Sequence, residues 1–394
     1  MIFWEKQKML PNGWKKSKIG ETCSLLSGQD FPPNLYGNEE KGLPYITGAS
    51  NFAGNHIILN RWTEHPKNIA KKGDILLVCK GSGFGITAIA DFEKAHIARQ
   101  VMALQKLNGV DRDFLYQVIS MNVRNIKQKG CGLIPGIDRK TVLNIEYFLP
   151  PIEEQKKIAT TLSLWDSAIE KMEKLIKAKE SLLTEYGKEL FGKTEQKQNK
   201  VWSTIALSEV LSEHGDKSTG KEEVFSVSVH KGLVNQIEHL GRSFAAKDTS
   251  NYNRVHYGDI VYTKSPTGDF PLGIVKQSMI KEDVIVSPLY GVFTPQTFEL
   301  GAILDFYFSS PINANNYLHP VAQKGAKNTI NITNKKFLSA KLRLPIDIKE
   351  QKKIAQFVQT TKKEMAVLQE VLENYKKQKQ GLMQKLLTGQ WRVK

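Results

Sequence analysis

The sequence predicts an α+β (mixed α/β) protein in which two globular, strand-dominated domains alternate with two long helices that pair as an antiparallel coiled coil. Three observations lead there. The hexapeptide EQKKIA occurs twice, as Glu154 to Ala159 and as Glu350 to Ala355, and an identity of that length repeated half a chain apart marks an internal duplication. Each copy follows a Leu-Pro step, Leu149-Pro150 and Leu344-Pro345, and opens a charged segment with helical periodicity. The long stretch before each copy is instead rich in Gly, Pro and β-branched residues, the composition of short strands and loops. The expected boundaries are 1–150 and 194–345 for the domains, 151–193 for the first helix, and 346–394 for the second helix with its tail.

Within the domains, Asp74–Cys79, Val101–Leu104, Asp259–Tyr262 and Tyr290–Phe293 read as short strands, and Phe114–Met121 and Ala302–Phe308 as short helices. Weaker repetition links the two. Trp14 with Ile19-Gly20-Glu21 parallels Trp202 with Leu207-Ser208-Glu209. Lys72-Gly73-Asp74-Ile75 parallels Tyr257-Gly258-Asp259-Ile260, and Gln128-Lys129-Gly130 parallels Gln323-Lys324-Gly325. The order is the same in both halves while the sequence between these anchors diverges, as expected when one scaffold is kept and its recognition loops vary.

In the first helix, Ile158, Leu162, Trp165, Ile169, Met172 and Ile176, then Leu183, Tyr186 and Leu190, alternate in steps of four and three, with Lys179 filling one position. That is a heptad seam. The second copy continues in register through Ile354, Val358, Thr361, Met365, Leu368, Leu372, Tyr375, Leu382 and Leu386, with Lys379 in the seam. Thr361 and the two lysines are expected to weaken it locally. Pro151 with Glu153 and Glu154 suits one first turn, Asp347 with Glu350 resembles a capping box at the other, and Gly192 and Gly389 are matching stops. Each helix is then about 40 residues, or roughly 60 Å. A narrow apolar stripe on so long a helix needs a partner, and the equivalent partner is the other copy.

Composition narrows the function. Lys and Arg total 56 against 40 acidic residues, a net charge of +16, which favours a polyanionic partner. The absence of a signal-like N-terminus and of any apolar run of spanning length predicts a cytosolic protein with no membrane partner. Cys23, Cys79 and Cys131 all lie in the first half, fit neither a disulfide framework nor a zinc cluster, and are expected to be buried thiols.

Two variable domains separated by repeated Leu-Pro-x(1–3)-Glu-Gln-Lys-Lys-Ile-Ala helices, each domain opening with Trp-x4-[Ile/Leu]-[Gly/Ser]-Glu, resemble the specificity (S) subunit of type I restriction-modification systems over essentially the whole chain. The resemblance implies that the domains are target recognition domains, each reading one half of a bipartite site in double-stranded DNA. It also implies that the helices set the gap and bind two methyltransferase subunits, in a complex that includes restriction/translocase subunits. S-adenosylmethionine would be bound by those partners, with no cofactor on this chain. Half-sites centred about 10 bp apart suit domains held on one face of a duplex.

Catalytic signatures are lacking. Lys80-Gly-Ser-Gly-Phe-Gly85 has neither the Gly-Lys-[Ser/Thr] ending of a phosphate loop nor the third glycine of the dinucleotide fingerprint, since Ile86 stands there. The histidines have no HExxH spacing, Glu154-x-Lys156 and Glu350-x-Lys352 fall in helical first turns, and there is no Asn-Pro-Pro-[Tyr/Phe] motif. The chain is therefore expected not to be an enzyme. The glycine loop is expected to approach DNA through Lys80, Ser82 and Phe84, with Lys264 and Thr267 in the equivalent loop of the second domain. Further candidates are Asn51, Arg61, Arg99, Gln100 and Lys129 in the first domain and Lys231, Arg242, Lys324, Lys327 and Asn328 in the second. Arg pairs two hydrogen bonds with guanine, Asn or Gln with adenine, and Lys more often holds phosphate. Competing readings are a stand-alone nuclease or methyltransferase, and a scaffold that does not touch DNA.

Overall fold

A computed structural model describes residues 10–54, 56–81, 83–128, 136–192, 201–240, 248–324 and 330–393. It divides into two compact units, Met1–Leu175 with Gln369–Lys394, and Ile176–Leu368. The two long helices, Ile152–Phe191 and Ile348–Leu387, are each 40 residues, the length expected from the sequence. Of the helices, Ile152–Leu175 and Gln369–Leu387 fall in the first unit and Ile176–Phe191 and Ile348–Leu368 in the second.

In the first unit, strands Ser24–Ser27, Val101–Gln105, Ile75–Val78 and Thr87–Ile89 form an antiparallel sheet in that spatial order. A second sheet orders Trp62–Thr63, Leu43–Ile46, Lys94–Ile97 and Ile69–Lys71. The strand Lys15–Lys18 pairs antiparallel with Glu146–Leu149, which brings the start of the domain to its end, immediately before the first long helix. Leu25, Ile75, Leu77, Leu104 and Phe114 of this unit share one core with Ile158, Leu162, Met383, Leu386 and Leu387 of the long helices.

The second unit repeats this plan. Leu211–Glu213, Gly291–Pro295, Ile260–Thr263 and Ile274–Gln277 stand in the same order as the first antiparallel sheet, and Trp202–Ala206 pairs with Lys341–Pro345 as the closing pair. The helix Phe298–Phe308 follows the Gly291–Pro295 strand as Arg112–Gln128 follows Val101–Gln105. Its core combines Ile260, Phe293, Ile303 and Phe337 with Leu183, Ile354 and Val358.

The repeated motifs have structural reasons. Gly73 and Gly258 carry φ of +87° and +93°, the left-handed region that glycine enters without strain. The next residue closes the turn: Asp74 accepts from Lys71 N at 2.7 Å and Asp259 from His256 N at 2.7 Å. Glu21 and Glu209 likewise accept from the backbone N–H three residues earlier, of Lys18 at 3.0 Å and Ala206 at 2.9 Å. Most informative is the Gln of each hexapeptide. Gln155 Nε2 donates to Pro150 O at 2.8 Å and its Oε1 accepts from Asp111 N at 2.7 Å. Gln351 Nε2 donates to Pro345 O at 2.9 Å and its Oε1 accepts from Thr297 Oγ1 at 2.6 Å. Asp111 and Thr297 in turn cap the short domain helices. A buried amide with both ends satisfied therefore fixes each long helix to the Leu-Pro step and to its domain.

The heptad stripe divides its work. Ile158, Leu162, Ile354 and Val358 are at most 1% exposed and belong to domain cores, so the first two seam positions of each helix dock a domain. Helix-to-helix contact begins further along. In the first unit Trp165 meets Tyr375 edge to face at 5.4 Å, and Leu372 is buried, with Ile169 and Met172 half-buried. In the second unit Tyr186 meets Phe357 at 4.6 Å, Ile176 is buried, and Met365 and Leu368 are half-buried. Both seam lysines are paired. Lys379 pairs with Asp166, and Lys179 with Glu364 at 2.6 Å, so each carries its charge to the seam edge and meets a carboxylate there. Thr361 is buried with its hydroxyl donated to Phe357 O. Asp347 caps the second long helix by accepting from Glu350 N at 2.9 Å.

Cys23 and Cys79 are buried free thiols, and burial raises both above the usual thiol range. Cys131 lies outside the described residues.

Candidate nucleic-acid interface

In the first unit the structure gathers Lys80, Arg99 and Gln100 at one end of the four-stranded antiparallel sheet. Strand Ile75–Val78 ends where its neighbour Val101–Gln105 begins. Cys79 N donates to Gln100 O at 2.8 Å, and Cys79 Sγ lies 3.6 Å from Arg99 O. The side chains of Lys80, Arg99 and Gln100 are exposed. Arg99 is steered by Asp30, with Nε 2.7 Å from Oδ2, and Gln100 lies over Gly48, where an added Cβ would come within 2.6 Å of its Oε1.

Beside this cluster runs an aromatic group that sequence reading missed. Phe31 stacks on His96 at 4.2 Å and tilts against Tyr45 at 5.7 Å, Tyr45 meets Tyr36 at 5.0 Å, and the exposed Arg61 guanidinium sits 5.5 Å from the Tyr36 ring centre. His96 Nδ1 accepts from Asn68 N at 3.1 Å and Nε2 donates to Gln29 O at 2.7 Å. That pattern requires a neutral ring, and burial lowers its pKa. Tyr45 and His96 are buried and form the base of this group, while Phe31 and Tyr36 are half-buried beside the exposed basic side chains, which suit a sugar-phosphate backbone. Its parts are scattered over residues 31–99, and strand pairing alone brings them together.

Two residues are withdrawn from the surface. Asn51 is fully buried: its Oδ1 accepts from Thr47 N, Thr47 Oγ1 and Gly48 N, and its Nδ2 donates to Ile58 O and Asn60 Oδ1. It holds the 47–60 turn together and has no hydrogen-bonding capacity left for a base. Phe84 is 1% exposed and part of the domain core. The glycine loop is folded onto the protein itself, since a Cβ at Gly83 would lie 2.1 Å from that of Ala49 and one at Gly85 would lie 3.2 Å from Val123. Gly83 and Gly85 thus serve internal packing, which corrects the expected backbone approach to DNA at those two positions, while Gly81 is exposed with nothing within 4 Å of an added Cβ.

In the second unit, Lys264 is half-buried and Thr267 exposed in the turn that follows strand Ile260–Thr263. Desolvation lowers the Lys264 pKa. Phe270 closes the turn through paired bonds with Thr267 and is buried, so the phenylalanine common to the two loops is a core anchor in both. Lys231 is exposed in the separate turn between strands Phe225–Ser228 and Gly232–Asn235. Ser82, Lys129, Arg242, Lys327 and Asn328 lie outside the described residues, as does the side chain of Lys324.

Among the described residues no helix is long and apolar enough to cross a membrane. Residues 11–180 match the family described as the type I restriction modification DNA specificity domain. Over 98% of this chain and 94% of the relative, the sequence is 26% identical to the type I restriction enzyme MjaVIII specificity subunit of Methanocaldococcus jannaschii. The fold is similar to that of a type I restriction-modification S subunit from M. genitalium, at TM-score 0.64 and 17% identity with 98% of each chain covered. It is also similar to a chain from a structure concerned with complex assembly and conformational transition of the type I R-M system, at TM-score 0.53 and 16% identity, covering 98% of this chain and all of that one. Taken with two copies of one frame, each built around a hexapeptide glutamine, these findings make the chain similar along its length to type I restriction-modification specificity subunits.

Proposed function

We propose that this chain is a specificity subunit that reads a bipartite site in double-stranded DNA with one half-site per domain and performs no catalysis itself. The observation that carries the reading is the placement of Lys80 and Lys264. Each lies just beyond the end of the corresponding strand of the corresponding four-stranded sheet, Lys80 six residues after Asp74 and Lys264 five after Asp259, so the charge is kept at that exit although the position shifts by one. A positive charge kept at one exit while the surroundings vary suits a phosphate, which is common to every target, whereas base-reading side chains must differ between half-sites. In the first domain Arg61, Arg99 and Gln100 stand where they would supply that readout, and in the second Lys231 and Thr267 are the available polar groups.

Methyltransferase subunits would dock on the long helices. Leu164 and Leu175 of the first unit and Leu182 of the second are 67%, 46% and 49% exposed on the first long helix, a cost in water that a partner would remove. Those subunits would carry S-adenosylmethionine and the flipped base, and restriction/translocase subunits would join through them.

The test is DNA affinity against salt for the complex reconstituted with its methyltransferase subunits. Lys80→Ala and Lys264→Ala should each lower the slope of log K against log salt by about 1, with little change in sequence preference. Arg99→Ala should relax preference in one half-site only. A wild-type slope in both lysine variants defeats the phosphate assignment, and a flat salt response of the wild type favours a scaffold.

A further inference from the structure

A cluster in the second unit has no part in the reading above. His214 and Asp216 follow the strand Leu211–Glu213, and His256 precedes the Gly258-Asp259 turn. His214 Nδ1 lies 3.8 Å from Asp216 Oδ2, and His256 Nε2 lies 3.0 Å from the same oxygen. All three atoms are within 4.8 Å of one another. The other nitrogen of each ring is held by a separate carboxylate: His214 Nε2 by Asp259 Oδ2 at 2.9 Å, and His256 Nδ1 by Asp283 Oδ1 at 2.8 Å.

This arrangement sets the tautomers. A carboxylate accepts, so Nε2 of His214 carries hydrogen and its lone pair lies on Nδ1, facing Asp216, whereas His256 stands between Asp283 and Asp216 and donates from both nitrogens, so that a metal ion would take the place of the Nε2 hydrogen. His214 Nδ1 is buried and has no hydrogen-bond partner, a state that costs free energy unless something electrophilic meets the lone pair. Imidazole ligands whose far N–H is held by a carboxylate are the usual second layer of a metal site.

We infer that His214, Asp216 and His256 form a site for one divalent transition-metal ion, of which Zn²⁺ is the best match. Two imidazole nitrogens and one carboxylate oxygen are a borderline-soft set that suits zinc and leaves a fourth position for water. With bonds of about 2.0–2.1 Å a tetrahedral ion needs donors roughly 3.4 Å apart. The separations of 3.0 and 3.8 Å bracket that value, so small side-chain rotations suffice. Local charge agrees. Asp216, Asp259 and Asp283 surround the rings, and Arg254, the nearby cation, is engaged by Glu222 at 3.2 Å and lies 3.9 Å from Asp283.

The site is private to the second domain. By strand register and by the shared Gly-Asp turn, the first domain has Leu26, Gly28 and Lys71 where His214, Asp216 and His256 stand. An apolar residue, no side chain and a cation cannot hold a metal. The ion would clamp the segment after Leu211–Glu213 to the one before Ile260–Thr263, and this role is independent of DNA reading.

The experiment uses full-length, tag-free protein stripped with chelator and titrated with Zn²⁺ against a chromophoric competitor, with Co²⁺ absorption as a second readout. Wild type should take up one equivalent, show the visible bands of low-coordinate Co²⁺, and unfold at higher temperature with zinc than without. Asp216→Asn, at an exposed position, and His256→Ala should each weaken binding by more than about 100-fold, and Asp283→Asn by about 10- to 100-fold. Folding of each variant is checked by circular dichroism. A wild type that takes up no zinc, or variants that retain wild-type affinity and so reveal an adventitious ion on other histidines, would overturn the assignment.

Discussion

The two domains share a frame and differ in how that frame is finished. Gln155 and Gln351 make the same pair of bonds, to a proline carbonyl and to the N-cap residue of a domain helix. The glutamates beside them have parted company. Glu154 receives the Trp14 indole N–H at 3.0 Å and both an Nε and an Nη2 bond from Arg392, tying the chain's tail to the start of the first helix. In the second unit Trp202 instead lies under Arg343, with the guanidinium 5.0 Å from the ring centre. Asp74 and Asp259 show the same split: each closes its turn, but Asp74 then accepts from Gln105 and Asp259 from Thr294 and His214. A duplicated motif therefore keeps the bond that builds the frame and releases the atoms left over for local use.

The largest break in this comparison is expected at Asp305 in the Phe298–Phe308 helix, which pairs with Lys362 of the second long helix. The Asp305 side chain is 17% exposed, and it is held ionised, against the cost of burial, by Lys362 at 2.6 Å and Lys276 at 3.7 Å. Asp305→Ala should destabilise the second unit by about 3–5 kcal/mol because Lys276 is left buried and unpaired, measured as an early transition in urea unfolding that leaves the first unit intact. A single unchanged transition would show that the pair contributes little.

Next in size, Gln155→Ala and Gln351→Ala should each cost about 1–3 kcal/mol by stranding a proline carbonyl and a second polar group. The point of the pair is symmetry. If one substitution proves neutral while the other does not, the shared lock is not shared in energy.

Smaller still, Glu154→Gln should cost about 1 kcal/mol, the range of a partly exposed ion pair, while Glu350→Gln stays within about 0.5 kcal/mol of wild type. The Arg392 and Trp14 donors lower the Glu154 pKa although burial opposes them. Its stabilisation is therefore present above the ordinary glutamate range and lost as pH falls through the lowered value. Thermal unfolding from pH 6 down to pH 3 should fall more steeply for wild type than for Glu154→Gln, and parallel curves would remove Glu154 from the account.

Much of the fold could be read directly because helical periodicity, capping residues and an exact repeat are local signals. The 40-residue helices, their starts at Pro151 and Asp347, and the strands around Gly73-Asp74 and Gly258-Asp259 all follow from them. The candidate interface was only partly legible. Lys80, Arg99 and Gln100 are exposed neighbours, but Asn51 and Phe84 look in sequence like surface recognition residues and are core. Nothing in a Thr-Gly-Ala-Ser-Asn string announces that one amide will satisfy a whole turn, because that depends on the backbone of residues 58–60 returning to it.

By itself the sequence determined that there are two copies of one frame, that each ends in a long striped helix, and that the chain is strongly cationic. These properties reside in spacing and composition, which no packing alters. Tertiary structure alone decided which stripe positions face a domain and which face the other helix, which glycines serve internal packing, and that Phe31, Tyr36, Tyr45 and His96 stand together beside Arg61 and Arg99. It also decided that His256 stands beside His214 and Asp216, although it lies 40 residues from Asp216 along the chain. Such arrangements arise from pairing strands distant along the chain, and the free energy that selects them is set by burial and by satisfied polar groups, which exist only once the chain has closed on itself.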